Sequence, residues 1–159
     1  MTEQVANIAT LKVKIEINAA PEEVWKGLTE DIGKWWPAEF YTGGDASSRN
    51  MEVELTPGGR MFESWDTGGG TLWGNVISFE PNKLLQILGH QFPNWGGPSQ
   101  WYGTWSLERA GNKTSLSYSE ATLGKISADG IEQKDSGWMF LFKCLQAFVE
   151  NKPAPSWPA

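Results

Sequence analysis

The chain has 159 residues, 40% hydrophobic and 20% charged, with thirteen Lys and Arg against nineteen Asp and Glu and a single cysteine, Cys144. Its net charge of −6 works against sequence-independent nucleic-acid binding and against anionic membrane surfaces, since both draw their energy from Lys and Arg set beside phosphate. One cysteine excludes an intrachain disulfide or a multi-cysteine zinc site, and the length suits one domain with a core of its own. The unusual feature is aromatic: ten Trp, seven Phe and three Tyr.

Met1 to Thr10 have no basic n-region and no apolar run of signal-peptide length, so residues 1–10 are expected as a flexible lead into a single domain over 11–151. No stretch approaches the roughly 20 apolar residues that span a bilayer, and a cytoplasmic protein is expected. Leu11, Val13, Ile15 and Ile17 alternate with Lys12, Lys14 and Glu16, which predicts a half-buried strand. Pro21, Glu22 and Glu23 suit the first turn of a helix. Trp25, Leu28 and Ile32 follow at helical spacing, predicting one helix over Pro21 to Thr29 and a short second piece over Asp31 to Trp36, ended by Pro37.

The middle of the chain reads as strands separated by turn signals: Met51 to Leu55, Arg60 to Asp66, Thr71 to Glu80, Leu84 to Phe92, Trp101 to Arg109 and Thr114 to Ala121. Connections this short join antiparallel neighbours. A last helix, capped by Asp135 or Ser136, places Trp138, Leu141, Phe142, Leu145, Phe148 and Val149 on one stripe. The Pro-rich tail over 152–159 is expected to leave the body as an extended segment. The predicted class is α+β, a curved antiparallel sheet with the long C-terminal helix against one face.

The segments Ile17-Asn18-Ala19-Ala20-Pro21-Glu22-Glu23-Val24-Trp25, Thr56-Pro57-Gly58-Gly59-Arg60, Gly74-Asn75-Val76, Glu80-Pro81-Asn82-Lys83-Leu84 and Gly137-Trp138 resemble the START-like (SRPBCC) superfamily. Within it they are most similar to single-domain bacterial proteins related to the C-terminal domain of the activator of heat-shock protein 90 ATPase. The resemblance runs from about Lys12 to Asn151 and implies a helix-grip fold with an apolar cavity between sheet and long helix. It implies no reaction, because the superfamily includes lipid carriers, hormone receptors and cyclases. The activator's additional N-terminal domain has no counterpart here. The loop Pro93 to Gln100 and the tryptophan load also lie outside the family pattern.

Chemistry has few candidates. His90 is the only histidine, no Gly-X-Ser-X-Gly elbow occurs, and Cys144 at the edge of the helix stripe reads as a small buried hydrophobe. No metal-ligand spacing, phosphate loop or dinucleotide fingerprint appears, so no metal and no cofactor is expected. Glu63 alternates with Met61 and Trp65. If those two face the interior it does too, as a possible acid or base or a partner for Arg60 or a ligand amine. The other parity turns Phe62 and Ser64 inward, and the plainer reading leaves Glu63 outward and solvated. Glu120 has the same ambiguity, in step with Leu116 and Tyr118.

Each strand aromatic taken singly is a packing residue; together they exceed what one small core needs. The expected function is a binding site for an apolar or aromatic small molecule, walled by Trp65, His90, Trp101, Tyr118, Trp138 and Phe142. Trp35, Trp36, Phe40 and Tyr41 form one rim, and the Pro93 to Gln100 loop forms a lid. The rivals are an enzyme of cyclase, dehydratase or hydrolase type using Glu63 or His90 in acid–base catalysis, and a chaperone- or stress-related interaction module. Homodimerisation is compatible with all three.

Overall fold

The computed structural model describes residues 7–44, 49–93 and 97–158. Among them the chain runs β1 (Asn7–Ile17), α1 (Pro21–Leu28), α2 (Ile32–Trp35), a single 3-10 turn (Ala38–Phe40), β2 (Arg49–Val53), β3 (Arg60–Trp65), β4 (Gly70–Glu80), β5 (Leu84–Gln91), β6 (Ser99–Ala110), β7 (Lys113–Gly124) and α3 (Ala128–Val149). The strands form one sheet in the order β1-β7-β6-β5-β4-β3-β2, every neighbouring pair antiparallel. From β2 to β7 each strand pairs with its sequence neighbour, as the short turns require. β1 docks on β7 at the far edge, and the helical pieces α1 and α2 carry the chain across to β2.

Each element forms for a local reason. In β1 the pairing continues outward to Asn7, with Asn7 to Thr10 opposite Ala121 to Gly124; residues 7–10 are therefore strand rather than a flexible lead. α1 starts on Pro21, and the Glu23 carboxylate turns back to accept the Ala20 N–H at 3.0 Å. α3 begins at Ala128 with Ser127 Oγ accepting the Gly130 N–H at 3.0 Å, about two turns ahead of the cap expected at Asp135 or Ser136. Those first turns hold Asp129, Glu132, Gln133 and Asp135. They carry no apolar period to read, because their task is to wall a cleft rather than to cover the sheet.

The tail also differs from expectation. Instead of leaving the body it returns along α3, and Trp157 meets Phe140 edge-on at 4.7 Å between ring centroids and Phe40 at 5.2 Å. Phe40 in turn stacks on Phe140 at 5.7 Å. Phe140 lies off the predicted stripe, yet is only 6% exposed, because these two rings cover it. The main core lies between the sheet's concave face and α3, where Ile17, Ile87, Leu116, Phe142 and Leu145 are buried. No helix among the described residues is long and apolar enough to cross a membrane.

Candidate functional site

Aromatic side chains fill the space beneath α3, where a cavity was expected. Tyr118 on β7 and Trp138 on α3 approach to 4.3 Å between ring centroids, Trp105 on β6 stands 4.6 Å from Tyr118 and 5.4 Å from Trp138, and Phe142 closes on Tyr118 at 6.2 Å. The space left among Leu28, Trp36, Trp105, Leu141 and Phe142 is about 10 Å³, roughly one water's worth. Tyr118 and Phe142 are each 1% exposed; they are packing residues, not a ligand wall.

An open cleft of about 620 Å³ lies instead at the N-terminal end of α3, between that helix and the ends of β4 to β7. Trp73, Trp101, Trp138 and Phe40 supply its aromatic walls, Glu120 and Lys134 its buried charged groups and Asp129 an exposed one, and Gly130, Gln133 and Gly137 the helix side. Trp101 can lie flat because its neighbour on β5 is Gly89, where a Cβ would stand 2.0 Å from the indole ring. The Trp101 indole N–H donates to the His90 carbonyl at 3.3 Å. His90 borders the cleft. It is exposed and falls on the alternation opposite Leu85, Ile87 and Gly89.

At the inner end of the cleft, Glu120 of β7 is held by four donors. Tyr118 Oη and Trp138 Nε1 donate to Oε2 at 2.5 and 3.2 Å, and Thr122 Oγ1 and Lys134 Nζ donate to Oε1, both at 2.5 Å. Lys134 also donates to Thr122 Oγ1 at 3.2 Å. The side chains of Lys134 and Glu120 are only 18% and 2% exposed, which makes this a desolvated ion pair. Burial, together with the adjacent carboxylate, pushes the Tyr118 phenol well above its ordinary range, so it serves as a fixed donor.

Glu63, whose face the alternation left open with the solvated placement the plainer one, is 0% exposed. The burial of β3 puts Met61 and Glu63 inward. The carboxylate accepts the Thr42 N–H at 2.8 Å and the Thr42 hydroxyl, the Trp65 indole at 3.0 Å and the Trp73 indole at 3.1 Å. Arg60 is not its partner; it pairs outside with Glu54. Trp65 is not in the cleft either, since its ring lies over Gly43 and Gly69, where added Cβ atoms would stand 2.7 and 2.4 Å away. Glu63 thus secures the far side of the Trp73 wall without entering the cleft. Cys144 is buried, as expected, and its thiol is pushed up to about 11 by burial and, secondarily, by Glu39.

Of the expected wall residues, then, Trp101 and Trp138 line the cleft, His90 borders it, Tyr118 and Phe142 lie beneath it, and Trp65 lies apart. Phe40 reaches the rim; Trp35 and Trp36 pack inside, with Trp36 edge-on to Trp73 at 5.5 Å. The expected lid, Pro93 to Gln100, falls partly on 94–96, outside the described residues. Lys134 was missed. The available signal was its place on α3, one turn before Trp138 on the same face, but recognising it required knowing that the helix starts at Ala128.

A curved antiparallel sheet gripping one long helix, open at that helix's N-terminal end, is the helix-grip architecture of START-like proteins. The chain belongs to the Activator of Hsp90 ATPase homolog 1-like protein family, which its residues 18–150 match. Among solved structures it is similar to MLL2253 from Mesorhizobium loti, with 22% identity and a TM-score of 0.64 over 91% of this chain and 99% of that one. It is also similar to CV1439 from Chromobacterium violaceum, at 20% identity and a TM-score of 0.63 over 89% of this chain and 96% of that one. CalU16 from Micromonospora echinospora has 18% identity and a TM-score of 0.63, over 92% of this chain and 87% of that one. At these identities the likeness establishes the fold. The comparison with curated proteins returns no match.

Proposed function

We propose that this protein is a cytoplasmic binder of a small aromatic or largely apolar molecule, seated in the cleft at the start of α3. One observation carries the reading: three indoles, Trp73, Trp101 and Trp138, surround a space of about 620 Å³ with a buried ion pair at its inner end. That volume falls in the roughly 300–1,000 Å³ common for small-molecule sites, and a mostly apolar wall with a few fixed polar groups is their usual chemistry. Indole faces give large contact areas at low cost in side-chain entropy. The acid–base reading is weaker at both of its candidates, because Glu63 is sealed behind Trp73 and the His90 side chain is exposed.

The test is titration with isopropenylnaphthalene, a flat apolar probe of suitable size, followed through the indole N–H resonances in a heteronuclear NMR spectrum. Saturable shifts confined to Trp73, Trp101 and Trp138 are expected, with Trp25 and Trp65 unmoved. Shifts that are absent, or spread evenly over all ten indoles, overturn the proposal.

A further inference from the structure

We infer that the cleft selects ligands bearing a hydrogen-bond acceptor oxygen, a ketone or phenolic oxygen on an aromatic frame, and that Lys134 is the residue that recognises it. This inference rests on the cleft being the ligand site, and it adds the chemistry that the ligand must present.

The argument is an accounting of donors and acceptors. A carboxylate offers about four acceptor positions, and all four on Glu120 are taken, by Tyr118, Thr122, Lys134 and Trp138. Glu120 therefore has nothing left for a ligand donor, although it lines the cleft. Lys134 is the complementary case. Its ammonium has three donors, of which two meet Glu120 and Thr122. It has no further partner among the described residues, and the side chain lines the cleft while only 18% exposed. The third donor is thus the charged group open to a bound molecule at the buried inner end of the cleft; Asp129, which also lines it, is exposed to solvent. The Trp101 indole N–H faces away, committed to the His90 carbonyl, and that of Trp138 is spent on Glu120.

Charge balance narrows the class further. The Lys134 charge is already matched by Glu120 at 2.5 Å, so a neutral or weakly charged oxygen fits. At the inner end of the cleft a ligand ammonium would meet the Lys134 cation beside a Glu120 carboxylate with no acceptor position left, and the other carboxylate of the lining, Asp129, is solvent-exposed. A hydrogen bond from a charged donor in a desolvated site is stronger than one between neutral groups, so the oxygen carries discrimination while the indoles carry bulk affinity.

Three ligands of one shape test this: methyl naphthyl ketone, isopropenylnaphthalene and naphthylethylamine, titrated calorimetrically into the full chain. The ketone is expected to bind about tenfold or more tighter than the hydrocarbon, with the amine weakest. In Lys134→Met the ketone's advantage over the hydrocarbon should vanish, the ratio of the two affinities within each protein being the readout. Because that variant strands a buried carboxylate, the charge-free pair Glu120→Gln/Lys134→Met is measured beside it, with the same loss expected. If ketone and hydrocarbon bind equally to the unaltered protein, or the ketone keeps its advantage in both variants, the assignment of Lys134 is overturned while the cleft stands. If none of the three binds, the cleft reading itself fails and takes this inference with it.

Discussion

Thr42 gives both its backbone N–H and its hydroxyl to the carboxylate of Glu63, twenty-one residues further along the chain. The Thr71 hydroxyl meets that of Thr42 at 2.6 Å, so the network reaches β4 as well. The contact pins the segment after the 3-10 turn against β3 and β4, and the turn it anchors carries Phe40 to the rim of the cleft. Removing the carboxylate leaves the Thr42 amide and two indole N–H groups without an acceptor. Glu63→Ala is therefore expected to cost about 3 kcal/mol or more in urea unfolding. Glu63→Gln keeps one carbonyl oxygen and should cost about 1–2 kcal/mol. If Glu63→Ala proves neutral, the network has no structural weight.

The Glu120–Lys134 pair makes a second expectation. Breaking a buried pair from one side strands a charge, whereas removing both charges does not. Lys134→Met should cost about 3 kcal/mol, and the double variant with Glu120→Gln less than the single one. Denaturant curves of the three proteins check the order. A double variant less stable than the single would show that the charges are not coupled.

Gly89 tests the wall from the backbone side. Gly89→Ala places a methyl group where the Trp101 ring lies, 2.0 Å from its atoms, and the ring has to move. The expected results are a displaced Trp101 indole resonance, loss of its bond to the His90 carbonyl and weaker binding of the hydrocarbon probe by about tenfold. An unmoved Trp101 resonance would contradict the packing described.

On the surface, the side-chain bond from Arg60, then its backbone N–H, hold the Glu54 carboxyl down at about 2, from an ordinary 4.5. A depressed carboxyl contributes stability that is present above its unfolded value and lost as pH falls through its folded value. The difference in stability between the unaltered protein and Glu54→Gln should hold above pH 4.5 and disappear as pH falls toward 2. Both groups are exposed, so the difference is small and should shrink further in salt. Urea unfolding at stepped pH measures it.

Much of this architecture was legible in the residues. The alternation of Leu11 to Ile17, the turns at Pro57-Gly58-Gly59 and Pro81-Asn82-Lys83, and the stripe from Trp138 to Val149 each report a local period or a local backbone demand. The site was less legible, for physical reasons. In β3 both alternating sets contain an aromatic, so hydropathy could not say that Glu63 points inward; its four hydrogen bonds decide that, and they come from three separate segments. The polar opening of α3 has no stripe, so neither its true start nor Lys134 was visible. Phe140 and Trp157 lack a shared period because they meet across a chain reversal. Above all, the tryptophan excess gave no sign of whether the rings would line a cavity or fill it, and they fill most of it and line only its mouth.

The placement of β1 also affects how the chain reaches this state. The meander from β2 to β7 can zip up strand by strand, each pairing with the segment just made. β1 pairs Val13 with Tyr118, across more than a hundred residues, so the first strand of this sheet waits for its last. Until β7 is complete, the β1 alternation of Val13, Ile15 and Ile17 has no ladder to join. Closing so long a loop comes before any contact that rewards it, which slows the final step. On the ribosome, β1 is thus left unpaired until β7 has emerged.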